Sequence, residues 1–339
     1  MTRPGGQRIG DLTTPALLID ADQLERNIAE MATALPGARL RPHVKAHKCT
    51  NLARRQAAAG HPGFTCATIR ECEGMAAAGL GQDLLLANEV LDARRLGALA
   101  GGGARITLAV DSAQTIEAAV AGGVREVLID VNVGLPRCGC DPASAGPLAD
   151  QARAAGLVVR GVMGYEGHVV GLADGAERER QCEVAMALLT AAHADVGGEL
   201  ISAGGTGTYA CNTWANEIQA GSYALMDTAY GQLGLPFGQA LFVLATVVSA
   251  PASGGAPKWA VADAGLKAFG MDHGNPSLDG ATVWFCSDEH TTFSDPRPVG
   301  ERVRFAPAHI DPTMAYHERA YVVSGDEIVD VWPVDLRGW

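Results

Sequence analysis

Residues 106–132 read ITLAV DSAQTIEAAVAGGVRE VLIDVN. A short β-branched run, Ile106–Val110, passes into an Ala-rich stretch, Ala113–Ala121, then two glycines, then a second run, Val127–Asn132. Val and Ile suit a pleated surface and Ala is the best helix former, so the stretch predicts strand, helix, strand. Working outward, the same unit recurs. Further runs lie at Leu40–Val44, Phe64–Thr68, Leu84–Ala87, Val158–Tyr165, Leu200–Gly204 and Ile218–Tyr223, with helix-like stretches at Asn51–Ala59, Arg70–Ala78, Ala93–Ala100 and Arg178–Ala192. Strands alternating with helices imply parallel β/α units, and eight of them predict an α/β fold closed as a (β/α)₈ TIM-type barrel. A doubly wound open sheet is the alternative; the absence of GxGxxG after the first run counts against a dinucleotide site.

Beyond Asp227 the pattern changes. Phe242–Ser249, Lys258–Asp263, Thr282–Cys286, Arg302–Ala306 and Ala320–Ser324 are short strand-like runs between Gly, Pro and Asp turns. This predicts a barrel over residues 1–235 and a C-terminal, mainly β domain over 236–339. The early run Pro15–Asp20 is expected to join that β domain, and Asp20 or Asp22 to cap a helix at Ala21–Leu35.

The bulk numbers exclude several classes. A formal charge of −12 and 5% aromatic residues speak against a nucleic-acid partner. No apolar run nears the roughly 20 residues that span a bilayer, and the polar stretch Met1–Gly10 reads as no signal peptide. The eight cysteines show no CxxC pair, as expected for reduced, mostly buried thiols. A soluble cytoplasmic protein is expected.

The chain holds only four lysines: Lys45, Lys48, Lys258 and Lys267. Lys45 ends the first barrel run, in Arg41-Pro42-His43-Val44-Lys45-Ala46-His47-Lys48. Strand C-termini face the active mouth of a β/α barrel, and a desolvated amine there is nucleophilic enough to form a Schiff base. A surface lysine ending a strand is the plainer alternative. Two small-residue segments follow the last two runs: Ser202-Ala203-Gly204-Gly205-Thr206-Gly207-Thr208 and Gly221-Ser222. Such segments let backbone N–H groups approach a phosphate, and barrels often bind phosphate there.

With Thr14–Asp20 and Glu217–Tyr223 added, these segments resemble the alanine-racemase-like, fold-type III pyridoxal-phosphate enzymes. They look most like the metal-dependent D-threonine aldolase and D-serine dehydratase branch. The resemblance covers nearly the whole chain. It implies a barrel, a C-terminal β domain and a homodimer with composite sites. It implies pyridoxal 5'-phosphate carried by Lys45, with Thr206, Gly207, Gly221 and Ser222 as phosphate neighbours. It sets Arg137 near the cofactor, where a guanidinium beside the pyridine nitrogen or phenolic oxygen opposes full protonation of the ring. Tyr165, at the end of its run, is a candidate contact to the ring. His168 is a candidate proton carrier, since imidazole titrates near neutrality.

Ala306-Pro307-Ala308-His309-Ile310-Asp311 bears on reaction type. In an extended segment alternate side chains share a face, so His309 and Asp311 are expected to meet one divalent ion. An imidazole and a carboxylate suit Mn²⁺, Mg²⁺ or Zn²⁺ without choosing among them; Mn²⁺ is the first expectation. By the resemblance, His-x-Asp matches the aldolases, whereas the dehydratases carry His-x-Cys. His290, followed by Thr291 rather than glycine, resembles a second element near the metal. The expectation is retro-aldol cleavage of a small D-β-hydroxy amino acid to glycine and an aldehyde. Alternatives are β-elimination from D-serine or D-3-hydroxyaspartate, racemisation, and a non-catalytic pyridoxal-phosphate carrier.

Overall fold

The computed structural model describes residues 7–251 and 258–339, so part of the Met1–Gly10 reading lies outside the described residues. The chain divides into two compact units: Met31–Lys45, Leu52–Gly221 and Leu336–Trp339 in one; Met1–Glu30, Ala46–Asn51 and Ser222–Asp335 in the other. No helix among the described residues is long and apolar enough to cross a membrane.

The chain begins with β1 (Ala16–Asp20) and α1 (Ala21–Ala34). Asp20 Oδ1 accepts the Gln23 N–H at 2.8 Å and so caps α1. Then follow α2 (Thr50–Ala58), β2 (Phe64–Cys66), α3 (Ile69–Ala77), β3 (Leu84–Leu86), α4 (Arg94–Gly101), β4 (Ile106–Val110) and α5 (Ala113–Gly122). They continue as β5 (Glu126–Asp130), α6 (Ala145–Ala154), β6 (Val158–Gly164), α7 (Gly175–Val196), β7 (Leu200–Ala203) and β8 (Glu217–Ile218). Strands β2 to β8 pair in parallel and in chain order. The first predicted run, Leu40–Val44, is not a regular strand, because Pro42 has no N–H for a ladder. It still closes the ring: Arg41 donates its N–H to Ile218 O, His43 donates to Ala220 O, and Thr65 donates to Pro42 O. The sequential order and this closure make a barrel and exclude a doubly wound sheet. Leu85, Ala109, Leu128 and Met163, from four successive strands, form one buried cluster.

At the N-terminal ends of the strands the barrel is tied by ions. Arg160 Nη1 lies 3.0 Å from Asp83 Oδ1 and its Nε lies 2.9 Å from Glu199. Arg41 Nη2 donates to Asp83 Oδ2 at 2.9 Å, and its Nε sits 2.8 Å from Glu217 Oε2 as a charge contact rather than a hydrogen bond. Burial pushes the Asp83 carboxyl up, but the two guanidiniums outweigh it and hold the group below its ordinary value. Removing one member of such a buried set strands its partner's charge. Arg160→Met is therefore expected to cost about 3 kcal/mol in urea unfolding. A depressed carboxyl stabilises above its unfolded value, near pH 4, and that stabilisation is lost as pH falls through the folded value. Below about pH 5, Asp83→Asn should flatten the acid loss of Tm relative to the parent.

The second unit holds β1 with β9 (Leu241–Ser249), β10 (Ala260–Ala262), β11 (Ser277–Leu278), β12 (Val283–Cys286), β13 (Thr291–Phe293), β14 (Arg302–Ala306), β15 (Arg319–Ser324) and β16 (Glu327–Pro333). The sheet runs β12-β13-β10-β9-β1-β15-β16, with β14 pairing β9 and β11. Two short helices, α8 (Thr228–Gly231) and α9 (Ile310–Tyr316), accompany it. All eight cysteines are free, and five are buried.

Candidate active site

Parallel strands bring their C-terminal ends to one mouth, and most of the predicted cofactor residues follow those ends. Lys45 lies half-buried on a 3₁₀ turn, Val44–Ala46, directly after the closing segment. Its N–H points at His43 Nδ1 at 3.5 Å. Arg137, exposed after β5, sets its guanidinium 5.2 Å from the centre of the Tyr165 ring and makes no ion pair within 4 Å among the described residues. Tyr165 follows β6 and is half-buried. His168, exposed on the next turn, lies against Gly134, whose place a Cβ would share with His168 Cε1 at 2.9 Å. Arg137, Tyr165, Gly134 and His168 thus come from two adjacent strand ends. A further acid sits there: burial, then the charge of Glu89, pushes the Asp130 carboxyl well above its ordinary value.

The loop after β7 is shaped from within. Gly204 donates its N–H to Glu166 Oε2 at 3.1 Å, and Gly205 donates to Thr208 Oγ1 at 3.2 Å. Those two N–H groups are engaged within the loop and fix its course. Gly207 tolerates no side chain, since a Cβ would lie 1.8 Å from Val170 O. Thr206 is buried, with a hydroxyl as a further donor. Small residues and a buried hydroxyl at a strand C-terminus fit a phosphate. Gly221, buried, follows β8, and Ser222 opens the 3₁₀ turn Ser222–Ala224, its carbonyl taken by the Leu225 and Met226 N–H groups.

The second unit carries the His-x-Asp motif, and here the structure corrects the sequence reading. Only His309 is extended, with φ −145° and ψ 122°; Asp311 lies in the first turn of α9. Pro312 explains this, because its fixed φ suits a first turn and its missing N–H is no loss there. The side chains still converge, with His309 Nε2 3.6 Å from Asp311 Oδ2. Donors at that spacing can each stand about 2.1 Å from one ion, with about 120° between the bonds. The motif is anchored by Asp227, fully buried, which accepts the N–H groups of Tyr230 and Ile310. Burial, against those two hydrogen bonds, raises the Asp227 carboxyl.

Asp272 and His273 were not found from the sequence. Their loop is pinned to α9: Gly270 donates its N–H to Thr313 Oγ1 at 2.9 Å, and a Cβ on Gly270 would lie 2.2 Å from Pro312 Cγ. Asp272 Oδ2 lies 2.7 Å from His309 Nδ1, and His273 stacks on the His309 ring at 4.0 Å and 8°. Burial pushes the Asp272 carboxyl up, but His309 outweighs it and holds the group below its ordinary value. Ligand atoms of Asp272, His273 and His309 lie within 4.8 Å of one another. Parallel stacked rings nevertheless point their lone pairs side by side, so one ion cannot lie on both. The geometry favours His309 Nε2 with Asp311 as the donor pair, and Asp272 and His273 as supports for the His309 ring. The available signal was Asp-His next to a glycine, 37 residues upstream. His290 lies exposed on the turn between β12 and β13, outside this cluster.

Barrel, glycine loop and lysine define the class: the chain belongs to the alanine racemase N-terminal domain family, matched over residues 19–229, followed by a D-serine dehydratase-like domain over 240–323. This makes it a member of the fold-type III group. Within that class it is 35% identical to a D-threonine aldolase of Arthrobacter sp., covering 98% of this chain and 95% of that protein. It is 32% identical to a 3-hydroxy-D-aspartate aldolase of Paracoccus denitrificans, covering 98% and 94%. The crystal structure of D-threonine aldolase from Filomicrobium marinum superposes with a TM-score of 0.90, at 34% identity, over 100% of this chain and 99% of that one.

Proposed function

We propose that this protein is a pyridoxal-phosphate- and divalent-metal-dependent carbon–carbon lyase. It cleaves small D-β-hydroxy amino acids, D-threonine and 3-hydroxy-D-aspartate among them, to glycine and an aldehyde. The observation that carries this reading is the His309–Asp311 donor pair in a chain related along its whole length to aldolases.

In this reading residues 1–235 carry the cofactor and 236–339 the metal motif. Lys45 bears the cofactor; Thr206, Gly207, Gly221 and Ser222 hold its phosphate; Arg137 and Tyr165 face its ring. When bound, the cofactor supplies an electron sink for the carbanion left at Cα. His309 and Asp311 hold the ion, Mn²⁺ foremost, with Mg²⁺ and Zn²⁺ as the other candidates; its Lewis acidity lowers the pKa of the substrate β-hydroxyl. His168, solvent-facing beside Gly134, serves as the proton carrier. Arg137, beside the pyridine nitrogen or the phenolic oxygen, would oppose full protonation of the ring and so limit side reactions. The working unit is taken as a cytoplasmic homodimer acting on a small amino acid, without nucleic acid or membrane.

Product analysis tests the reaction type. Purified protein with pyridoxal phosphate and Mn²⁺ should convert D-threonine to glycine and acetaldehyde. A keto acid with ammonia would show β-elimination instead, and L-allo-threonine, the product of inversion at Cα alone, would show racemisation.

Asp272 gives a separate expectation. A carboxylate on Nδ1 fixes the tautomer that leaves Nε2 free for an ion, and losing such a partner weakens metal affinity by about 10–100-fold. Asp272→Ala should raise the Mn²⁺ dissociation constant by that factor in equilibrium dialysis. Asp272→Asn, whose amide oxygen still accepts from Nδ1–H, should lie between it and the parent.

A further inference from the structure

Glu166 lies between two residues the sequence had singled out, Tyr165 and His168, and had itself been given no role. Its side chain is 0% exposed. Among the described residues no cation pairs with it within 4 Å. A buried carboxylate without a counter-charge is costly, and it persists only where hydrogen bonds satisfy it. Here every partner is a donor. Oε2 accepts from the Gly204 N–H at 3.1 Å; Oε1 accepts from Thr208 Oγ1 at 2.8 Å and from Asn212 Nδ2 at 3.2 Å. Cys182 Sγ approaches Oε1 at 3.9 Å.

These contacts converge on one loop. Thr208 Oγ1, while donating to Glu166, accepts the Gly205 N–H at 3.2 Å. One carboxylate therefore orients the first two N–H groups of the glycine loop, one directly and one through a hydroxyl. The main chain of Glu166 acts on the facing side. Its carbonyl accepts the N–H groups of Val169 and Val170 at 2.8 and 3.3 Å, and Val170 O is the atom against which Gly207 packs. Both walls of the Gly207 contact are thus held by a single residue.

We propose that Glu166 is a positioning residue that holds the Gly204–Thr208 loop in its anion-accepting form before the ligand arrives. The inference rests on the reading of that loop as the seat of the cofactor phosphate. Its consequence is selective. Pyridoxal 5'-phosphate and pyridoxal share the ring and the aldehyde and differ in the phosphate alone. Pre-formed donors cost a ligand less to use than donors that must first be ordered. Disturbing the loop must then weaken the phosphorylated ligand and spare the other.

The test uses the full-length apoprotein and measures dissociation constants for both ligands. In Glu166→Gln an amide NH₂ replaces one acceptor oxygen, so one of the three donors meets another donor. Loss of a hydrogen bond to a charged group predicts pyridoxal 5'-phosphate binding weaker by about 10–100-fold, with pyridoxal binding unchanged within a factor of about 3. Thr208→Val, which removes only the relay to Gly205, should show the same selectivity with a smaller factor and stands in if Glu166→Gln does not fold. Equal weakening of both ligands, or no weakening in a folded variant, would overturn the positioning role. If the parent protein itself binds the two ligands equally tightly, the phosphate reading falls, and the proposal with it.

Discussion

Lys45→Ala should abolish cleavage of D-threonine, by on the order of a thousandfold or more, and remove the near-visible absorption of the cofactor-loaded protein. The amine is the one group in the proposed site able to form a covalent bond to an aldehyde, and nothing nearby replaces it in kind. Lys48 lies three residues on, past the 3₁₀ turn, at a residue with φ +50°. Lys48→Ala should therefore keep the absorption band. The two variants together separate loss of one specific amine from general damage to the segment. A spectrum that survives Lys45→Ala unchanged would place the imine elsewhere.

The second large effect belongs to the metal motif. His309→Ala and Asp311→Ala should each lower cleavage by on the order of 10²–10³-fold, the usual cost of removing one preorganised stabiliser of developing charge. Both variants should keep the absorption band that Lys45→Ala loses, since the phosphate and imine residues are untouched. Bound manganese, measured after dialysis, should fall well below one per chain in each. The pair should act as a unit, so the double variant should be hardly worse than either single one. Independent, multiplying losses would argue that the two side chains do not serve a common ion.

The barrel was legible because its unit repeats: six of the eight strand-like runs and most helical stretches lie within a few residues of their predicted limits. The helix α6 was not predicted, because Ala145–Ala154 contains Gly146 and Pro147 and follows Pro142, residues that ordinarily bound or break a helix. The closing segment was read as a strand, and Pro42 reduces it to single bridges. In the metal motif the residues were legible and their backbone was not, since Pro312 turns an expected strand into the start of a helix. Asp272 and His273 were invisible for a different reason. Their contact with His309 is tertiary, set by Gly270 packing on Pro312, and no local periodicity announces it. Glu166 shows the same limit: in the sequence it reads like any surface glutamate, and only burial with three donors around it gives it a role.

The most direct measurement is metal add-back. Protein stripped of divalent ions and saturated with pyridoxal phosphate is mixed with D-threonine, and glycine is followed as Mn²⁺ is titrated in. Cleavage that is absent at the start and rises to a plateau as one ion binds per chain is the expected result. Full glycine production from the stripped, cofactor-loaded protein would contradict the joint role of the two groups.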